Sequence, residues 1–364
     1  MKKKNRVLLI LLAVPLLLCG VSALSNLTLP KGPDTLDRLS DLDKARLAET
    51  LRLKATLGEQ VWPGWGEADI PVILWNSDYT FLVGMDAPPA GWEAVPDTTL
   101  DGAAYYRQPT ADPQNFAVRV GDRWAGSLAT KHETDAFMMG VFRDMLPPVV
   151  EQIFPYRLLI LPSEVQMTGV LHETFHAYQT TTTQARLDAA EAAHRLGDRY
   201  WDADEPMRDA WKAEIDLLAR ALQVESDADA QQLAGQFLEQ RRQRRETHTL
   251  SPALVEYEQQ LEWEEGLAKY IELAMWQAAS TTADYAPLLA MDADPDFKGY
   301  ATFPQRFKQE ISQMKTQATR EGETRFYYTG MAQAILLDRL LPDWKSCVFA
   351  DDVWLEDLLT EASQ

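Results

Sequence analysis

Two histidines and a glutamate make up the stretch of this chain with the clearest chemical meaning, His172-Glu173-Thr174-Phe175-His176, an HExxH motif. Residues four positions apart on an α-helix lie one turn above each other on the same face, so His172 and His176 can bind one tetrahedral Zn²⁺. Glu173 lies next to that face, where its carboxylate can accept a proton from a water molecule at the metal. The motif therefore predicts a zinc-dependent hydrolase.

A catalytic zinc site needs a third protein ligand, which leaves one coordination position for water. No His or Asp lies three to ten residues after His176, so this ligand must come from a later element. The candidates among the later glutamates are Glu265, Glu225 and Glu214.

A hydrolase of this kind also needs a hydrogen-bond donor for the oxyanion that develops on the substrate. Tyr327 and Tyr328 precede a strongly apolar segment, Met331–Leu341, which is predicted to be a helix. Both tyrosines are candidates for that donor. The alternative is that both rings only pack at the start of the helix.

The segments around these residues resemble gluzincin metallopeptidases, especially the aminopeptidase-N-like branch. Trp263–Glu272 is similar to the glutamate-bearing helix of that branch, which reads roughly Asn-Glu-Gly-Phe-Ala-x-Tyr-x-Glu, and the similarity gives Glu265 the role of third zinc ligand. The spacing from Tyr327 to Gly330 resembles a Tyr-x-x-Gly segment whose tyrosine stabilises the oxyanion. The resemblance covers roughly residues 155–340, with a longer interval between the second histidine and the glutamate than in that branch. It implies a sheet whose edge strand borders the cleft.

The elements that must position these residues can be read from the flanking sequence. Apolar residues recur at helical spacing from Val165 to Tyr178, which places the motif on a helix, with Ser163 as its expected N-cap. The preceding segment, Tyr156–Leu161, is predicted to be a short buried strand. A polar tract of threonines, residues 180–183, is expected to end the motif helix.

The rest of the chain divides into a strand-rich part and a helical part. Ser40 is expected to cap a helix over Asp41–Leu57, and Gly121-Asp122 reads as the two-residue turn of a hairpin. The predicted fold class is α+β, a small mixed or antiparallel sheet followed by a mostly helical half, in the gluzincin arrangement. Further strands are predicted at Ile70–Trp75 and Tyr79–Val83, and further helices at Glu133–Leu146, Gln184–Leu196, Glu205–Leu222, Ala228–Glu246 and Pro252–Ala278.

The expected domain organisation has four parts. Residues 1–23 form a signal peptide, and residues 24–58 an N-terminal linker and helix. Residues 59–161 form a β-rich subdomain, and residues 162–364 a helical catalytic subdomain with the HExxH and glutamate-ligand helices.

The N-terminus has the pattern of a secretory signal peptide. Four basic residues within the first six positions precede an apolar run, Val7–Leu18, and cleavage is expected before Leu24. This predicts export to the periplasm or the medium. The alternatives are a lipoprotein with its lipid on Cys19, or an uncleaved segment that anchors the chain in the membrane.

The net charge and the cysteine content bear on the binding partners and on the compartment of the protein. The formal net charge is −20, and removing residues 1–23 takes away four positive and no negative charges. Such an acidic protein is not expected to bind nucleic acid or anionic membranes. Once the signal peptide is removed, Cys347 is the only cysteine, so the chain cannot form an internal disulfide. An exported protein without a disulfide is compatible with a bacterial periplasm. The basic run Arg241–Arg245 is expected to be a solvated helix face paired with nearby glutamates.

Together these features favour a secreted or periplasmic zinc metallopeptidase that acts on a peptide or protein. Two alternatives remain open. One is a non-catalytic envelope binding or assembly protein on a gluzincin scaffold. The other is a zinc hydrolase of a non-peptide amide or ester, since the zinc chemistry is shared.

Overall fold

The computed structural model describes residue 17 and residues 19–200 and 205–364. Within them one six-stranded sheet is followed by a mostly helical region, which confirms the predicted α+β class with a small mixed sheet. Most of the predicted signal peptide, residues 1–16 and 18, lies outside the described residues. None of the described helices has the length and apolar character needed to cross a membrane.

The sheet is mixed because only β1 and β6 run parallel, while its other neighbouring strands are antiparallel. Its order is β3-β4-β2-β1-β6-β5, so β5 is an edge strand. The predicted hairpin is confirmed: β5 and β6 pair through the turn at Gly121-Asp122. The strands are β1 (Val72–Trp75), β2 (Tyr79–Val83), β3 (Glu93–Ala94), β4 (Tyr106–Pro109), β5 (Phe116–Val120) and β6 (Arg123–Ala129).

Helices account for most of the rest of the described chain. The side chain of Ser40 accepts a hydrogen bond from the backbone N–H of Asp43 at 3.1 Å, which confirms it as the cap of the first long helix. The helices are α1 (Asp41–Val61), α2 (Lys131–Met145), α3 (Pro148–Ile153), α4 (Ser163–Ala193), α5 (Gly197–Tyr200), α6 (Glu205–Ala221), α7 (Asp227–Thr247), α8 (Pro252–Leu261), α9 (Leu267–Thr281), α10 (Phe303–Gln317), α11 (Thr324–Leu340) and α12 (Leu355–Ala362).

Helix α4 carries the HExxH motif and packs directly on the sheet. A Cβ placed on Gly126 of β6 would lie 2.5 Å from the backbone nitrogen of Thr174 and 2.7 Å from the carbonyl carbon of Glu173. Only glycine fits there, because strand and helix backbones touch. As expected, the threonine tract interrupts this helix: Thr183 has non-helical backbone angles (φ −150°, ψ 66°), and a second helical segment continues from this kink to Ala193.

Two expectations about the start of α4 are wrong. Tyr156–Leu159 is a 3-10 turn rather than a buried strand, and of its residues only Tyr156 is buried. Prolines lie on both sides of the run, and a short apolar run alone does not distinguish a strand from other structure. Ser163 is the first helical residue, and the residue at the cap position is Pro162. The hydroxyl of Ser163 accepts a hydrogen bond from Arg46 at 3.2 Å instead of capping the helix.

The basic run on α7 is only in part the solvated face that was expected: Arg242 is exposed and pairs with Glu239 and Glu246, but two of its neighbours are buried. Arg241 and Arg244 are about 1% exposed. Arg241 pairs with Glu214 at 2.8 Å and Glu262 at 2.5 Å, and Arg244 pairs with Glu214 at 2.7 Å and Glu258 at 2.6 Å. These carboxylates come from other helical segments, and burial of the guanidinium groups is tolerated because each is paired.

A single π-helical turn, Glu262–Gly266, joins α8 to α9 and packs against α11. A Cβ on Gly330 would lie 2.4 Å from the carbonyl oxygen of Glu262, and a Cβ on Gly266 would lie 2.5 Å from the Cα of Gly330. The two backbones therefore touch at a pair of glycines. This contact fixes the position of Glu265, within the turn, relative to Tyr327, one turn before Gly330.

Candidate metal centre

The two histidines of the motif face each other, as helical spacing requires. The Nε2 atoms of His172 and His176 lie 3.0 Å apart. Both side chains are buried, since His172 is 7% exposed and His176 is not exposed. One small cation could therefore contact both nitrogens.

The π-helical turn brings the carboxylate of Glu265 to this pair. Its Oε2 lies 3.2 Å from Nε2 of His172 and 3.4 Å from Nε2 of His176. The two alternative ligands lie elsewhere: Glu214 is held between buried arginines, and Glu225 is exposed in the segment before α7. Of the three candidates, the structure brings only Glu265 to the histidines.

Hydrogen bonds on the far side of each ring direct the inner nitrogens toward each other and toward Glu265. Nδ1 of His172 lies 2.9 Å from Oε1 of Glu272, and Nδ1 of His176 lies 2.8 Å from Oε1 of Gln179. An oxygen acceptor requires Nδ1 to carry the proton, so each Nε2 can present a lone pair to a metal. The amide of Gln179 donates in turn to the carbonyl oxygen of Trp263, which ties α4 to the π-helical turn.

The spacing of these three atoms fits a tetrahedral zinc ion. Zn²⁺ with bonds of about 2.0–2.2 Å separates its ligand atoms by roughly 3.3 Å. The separations among Nε2 of His172, Nε2 of His176 and Oε2 of Glu265 are 3.0, 3.2 and 3.4 Å. Two imidazoles and one carboxylate are also a donor set that zinc accepts in catalytic sites.

Glu173 contributes a buried carboxylate oxygen that no described residue satisfies. Its ligand atom lies within 4.8 Å of those of His172 and His176. Oε2 of Glu173 is buried and has no hydrogen-bond partner among the described residues. Burial raises the pKa of Glu173 to about 7, although the two neighbouring histidines oppose the increase. A carboxyl with such a pKa can both accept and release a proton near neutral pH.

The charges of the centre depend on one another. Burial lowers the pKa of His172, but the carboxylates of Glu265 and Glu272 outweigh it and raise the value to about 10. Burial likewise opposes ionisation of Glu265, yet His176 and His172 hold its pKa well below the usual range. The metal-free centre therefore keeps a proton among groups that a divalent cation would bind instead.

The structure separates the two candidate tyrosines. Tyr327 lines the same cavity as the motif, and its ring lies 6.1 Å from that of His172. Burial, and then the Glu265 carboxylate, raise the pKa of Tyr327 above its usual value, so its hydroxyl stays protonated. The ring of Tyr328 instead faces Lys269, whose Nζ lies 5.7 Å from the centroid of that ring. Only Tyr327 is placed to reach a substrate at the centre.

A cavity of about 450 Å³ opens over these residues. One wall comes from the edge strand, where the ring of Phe116 lies 4.5 Å from that of His176. Glu173, Arg306 and Tyr327 also line this cavity. The edge strand and the candidate ligands therefore border the same cavity.

Sequence reasoning missed two contributors to the centre. Glu272 lies seven residues after Glu265, so two helical turns place both carboxylates toward His172, and this spacing could have identified it. Phe116 has no such signal, because its approach to His176 depends on how β5 packs on α4. Gln179, in contrast, can be inferred from the sequence, because it follows His176 by three residues and so lies on the same helix face.

No known protein family, curated protein or solved structure is significantly similar to this chain. The resemblance to gluzincins thus rests on the sequence motifs alone.

Proposed function

We propose that this chain is a zinc metallopeptidase of the gluzincin type in which His172, His176 and Glu265 hold Zn²⁺. The observation that carries the proposal is the convergence of Glu265, from a distant helix, on the motif histidines at 3.2 and 3.4 Å. Bound zinc would supply a Lewis acid that polarises a carbonyl and lowers the pKa of water to about 7.

Glu173 is the general base in this proposal. Its free, buried oxygen accepts a proton from the attacking water, and the same carboxyl then donates that proton to the leaving amine. A pKa of about 7 suits both steps. A purely structural zinc site has no use for such a base, so this residue favours an enzyme over a non-catalytic scaffold protein.

Tyr327 is the proposed donor to the oxyanion. Its hydroxyl remains protonated because burial and Glu265 raise its pKa, and so it can donate a hydrogen bond as negative charge develops on the substrate oxygen. Glu272 and Gln179 act differently: they hold the two imidazole rings in the orientation that the metal requires.

The edge strand favours a peptide over a small amide or ester. β5 pairs with β6 on one side, and within the described residues no strand pairs with its other side. An extended peptide can add to such an edge through backbone hydrogen bonds. Asn115 and Phe116 line the cavity at this edge, next to His176. The predicted signal peptide adds that the enzyme would act after export.

The test is the variant Glu173→Gln, compared with wild type on a mixture of short peptides. We expect Glu173→Gln to retain one zinc ion and to cleave at least about 10²-fold more slowly, since general-base catalysis contributes that much or more. Glu67→Gln, at an exposed glutamate, serves as the control and should cleave like wild type. Cleavage by Glu173→Gln at the wild-type rate would refute the mechanism, and a zinc-loaded wild type that cleaves no peptide would refute the peptidase assignment.

A further inference from the structure

A second group of metal-binding side chains lies beyond the first centre. Glu191, near the end of α4, and His194, in the 3-10 turn that follows, meet Glu264 of the π-helical turn. One ligand atom from each of the three lies within 4.8 Å of the others. Glu264 adjoins Glu265 in sequence, but the two side chains point to different histidines: Oε2 of Glu264 lies 3.0 Å from Nε2 of His194.

The imidazole of His194 is held as the imidazoles of metal ligands are held. Its Nδ1 lies 2.8 Å from Oε2 of Glu323, and the other oxygen of that carboxylate accepts a hydrogen bond from the hydroxyl of Tyr257 at 2.9 Å. A carboxylate on the far nitrogen fixes the tautomer and directs the near nitrogen at a metal. The first centre has the same arrangement, with Glu272 on Nδ1 of His172.

Few donors surround the carboxylates near His194. No Lys or Arg of residues 19–200 and 205–364 forms an ion pair with Glu191, Glu264 or Glu323. Glu264 is not exposed, and its Oε1 is buried without a hydrogen-bond partner in the described part of the chain. A buried carboxylate oxygen without a donor is costly, and a cation bound at this point would satisfy it.

We propose that Glu191, His194 and Glu264 form a second site, for a divalent transition metal such as Zn²⁺. One imidazole nitrogen with carboxylate oxygens suits Zn²⁺, Mn²⁺ or Co²⁺ better than Ca²⁺ or Mg²⁺, which prefer oxygen alone. Glu191 is exposed and His194 is half-buried, so an ion can reach the three ligands from solvent.

A metal at this second site would also support the first centre. Glu264 and Glu265 are consecutive residues of one π-helical turn, so an ion bound to the first fixes the backbone that carries the second. Gln179 reinforces this link, because its amide donates to the backbone oxygen of Glu264 at 3.3 Å while its oxygen lies 2.8 Å from Nδ1 of His176.

The experiment counts metal ions per chain after the metal-free protein is incubated with excess Zn²⁺, desalted and measured by elemental mass spectrometry. We expect two zinc ions in wild type and one in Glu191→Gln. Glu191 is exposed, so its loss should not prevent folding, which circular dichroism checks. Asp188→Asn, at an exposed acidic residue on the same helix, removes the same charge and should keep two ions. His194→Gln should also keep only one.

The two sites are distinguished by His176→Ala, which removes a ligand of the first centre alone and should leave one ion. Wild-type zinc content in both Glu191→Gln and His194→Gln would overturn the second site. If wild type binds one zinc ion and His176→Ala binds none, the second site is also overturned, while the first centre stands. A single ion lost in Glu191→Gln and kept in His176→Ala would support the second site and count against the proposed peptidase centre.

Discussion

The contact between Gly126 and the motif helix leads to a prediction that can be worked out from distances. In Gly126→Ala the new methyl group would lie 2.5 Å from the backbone nitrogen of Thr174 and 2.7 Å from the carbonyl carbon of Glu173. Carbon atoms in ordinary contact are about 3.5–4.0 Å apart, so β6 and α4 must separate by roughly 1 Å. No side-chain rotation can relieve this clash, because the contacted atoms belong to the backbone.

Overpacking of this kind costs about 1–3 kcal/mol, and we expect the upper part of that range because two backbones must move. The same shift moves Glu173 relative to the cavity. A misplacement of about 1 Å at a catalytic group can lower the rate about 10²-fold. Gly140→Ala, in helix α2, is the matched control. Its methyl group would meet no neighbouring atom within 4 Å, and helix propensity predicts that the free energy of unfolding rises by about 0.5–1 kcal/mol.

The assay is urea unfolding followed by circular dichroism, together with the rate of peptide cleavage. Gly126→Ala should unfold at a lower urea concentration than wild type, and Gly140→Ala at the same or a higher one. Equal midpoints for Gly126→Ala and wild type would refute the packing of β6 on α4. A destabilised Gly126→Ala that cleaves at the wild-type rate would refute the link between this contact and Glu173.

Further predictions concern the centre itself. Glu272→Gln weakens the hydrogen bond on Nδ1 of His172, so zinc affinity in a chelator competition should fall about 10–100-fold, and unchanged affinity would contradict the role of Glu272. Tyr327→Phe should lower kcat about 10²–10³-fold with zinc retained, whereas Tyr328→Phe, whose ring lies under Lys269, should have a small effect; the reverse order would contradict the assignment. In the metal-free protein, the pKa of His172 is about 10, above its usual 6.5, so its contribution to stability is full below pH 6.5 and is lost as the pH rises toward 10. The urea midpoint of the metal-free wild type should fall as the pH rises across that range, and the midpoint of His172→Ala should change less. The same pH dependence in both proteins would refute the pairing of His172 with Glu265 and Glu272.

The parts of the centre that sequence could predict are those encoded by local spacing. His172 and His176 are four residues apart, and any α-helix brings them together. Glu265 was chosen only through a resemblance to a family motif, because nothing local indicates that a distant segment returns to α4. The choice between Tyr327 and Tyr328 depended on the rotation of α11, which is fixed by the contact of Gly330 with Gly266.

The second metal cluster was out of reach for the same physical reason. Glu191, His194 and Glu264 come from the far end of α4, the following turn and the π-helical turn, and their approach depends on tertiary packing. Glu191 lies on the segment of α4 beyond the kink at Thr183, and the direction in which that segment leaves the kink is not encoded by any local spacing.

The errors of sequence reasoning also have physical causes. Tyr156–Leu161 is apolar enough for a strand, yet Leu158 is 81% exposed and Tyr156–Leu159 forms a 3-10 turn. Arg241 and Arg244 read as surface residues because charged groups are seldom buried without partners. Their partners come from other helical segments, and no pattern along α7 reveals them.

The central claim is that His172, His176 and Glu265 hold one zinc ion above Glu173. Its most direct test is anomalous diffraction at the zinc edge from crystals of the zinc-loaded protein. We expect a peak about 2.0–2.2 Å from Nε2 of His172, Nε2 of His176 and a carboxylate oxygen of Glu265. Zinc-loaded crystals with no peak between these three side chains, or with a peak on the histidines alone and Glu265 turned away, would contradict the claim.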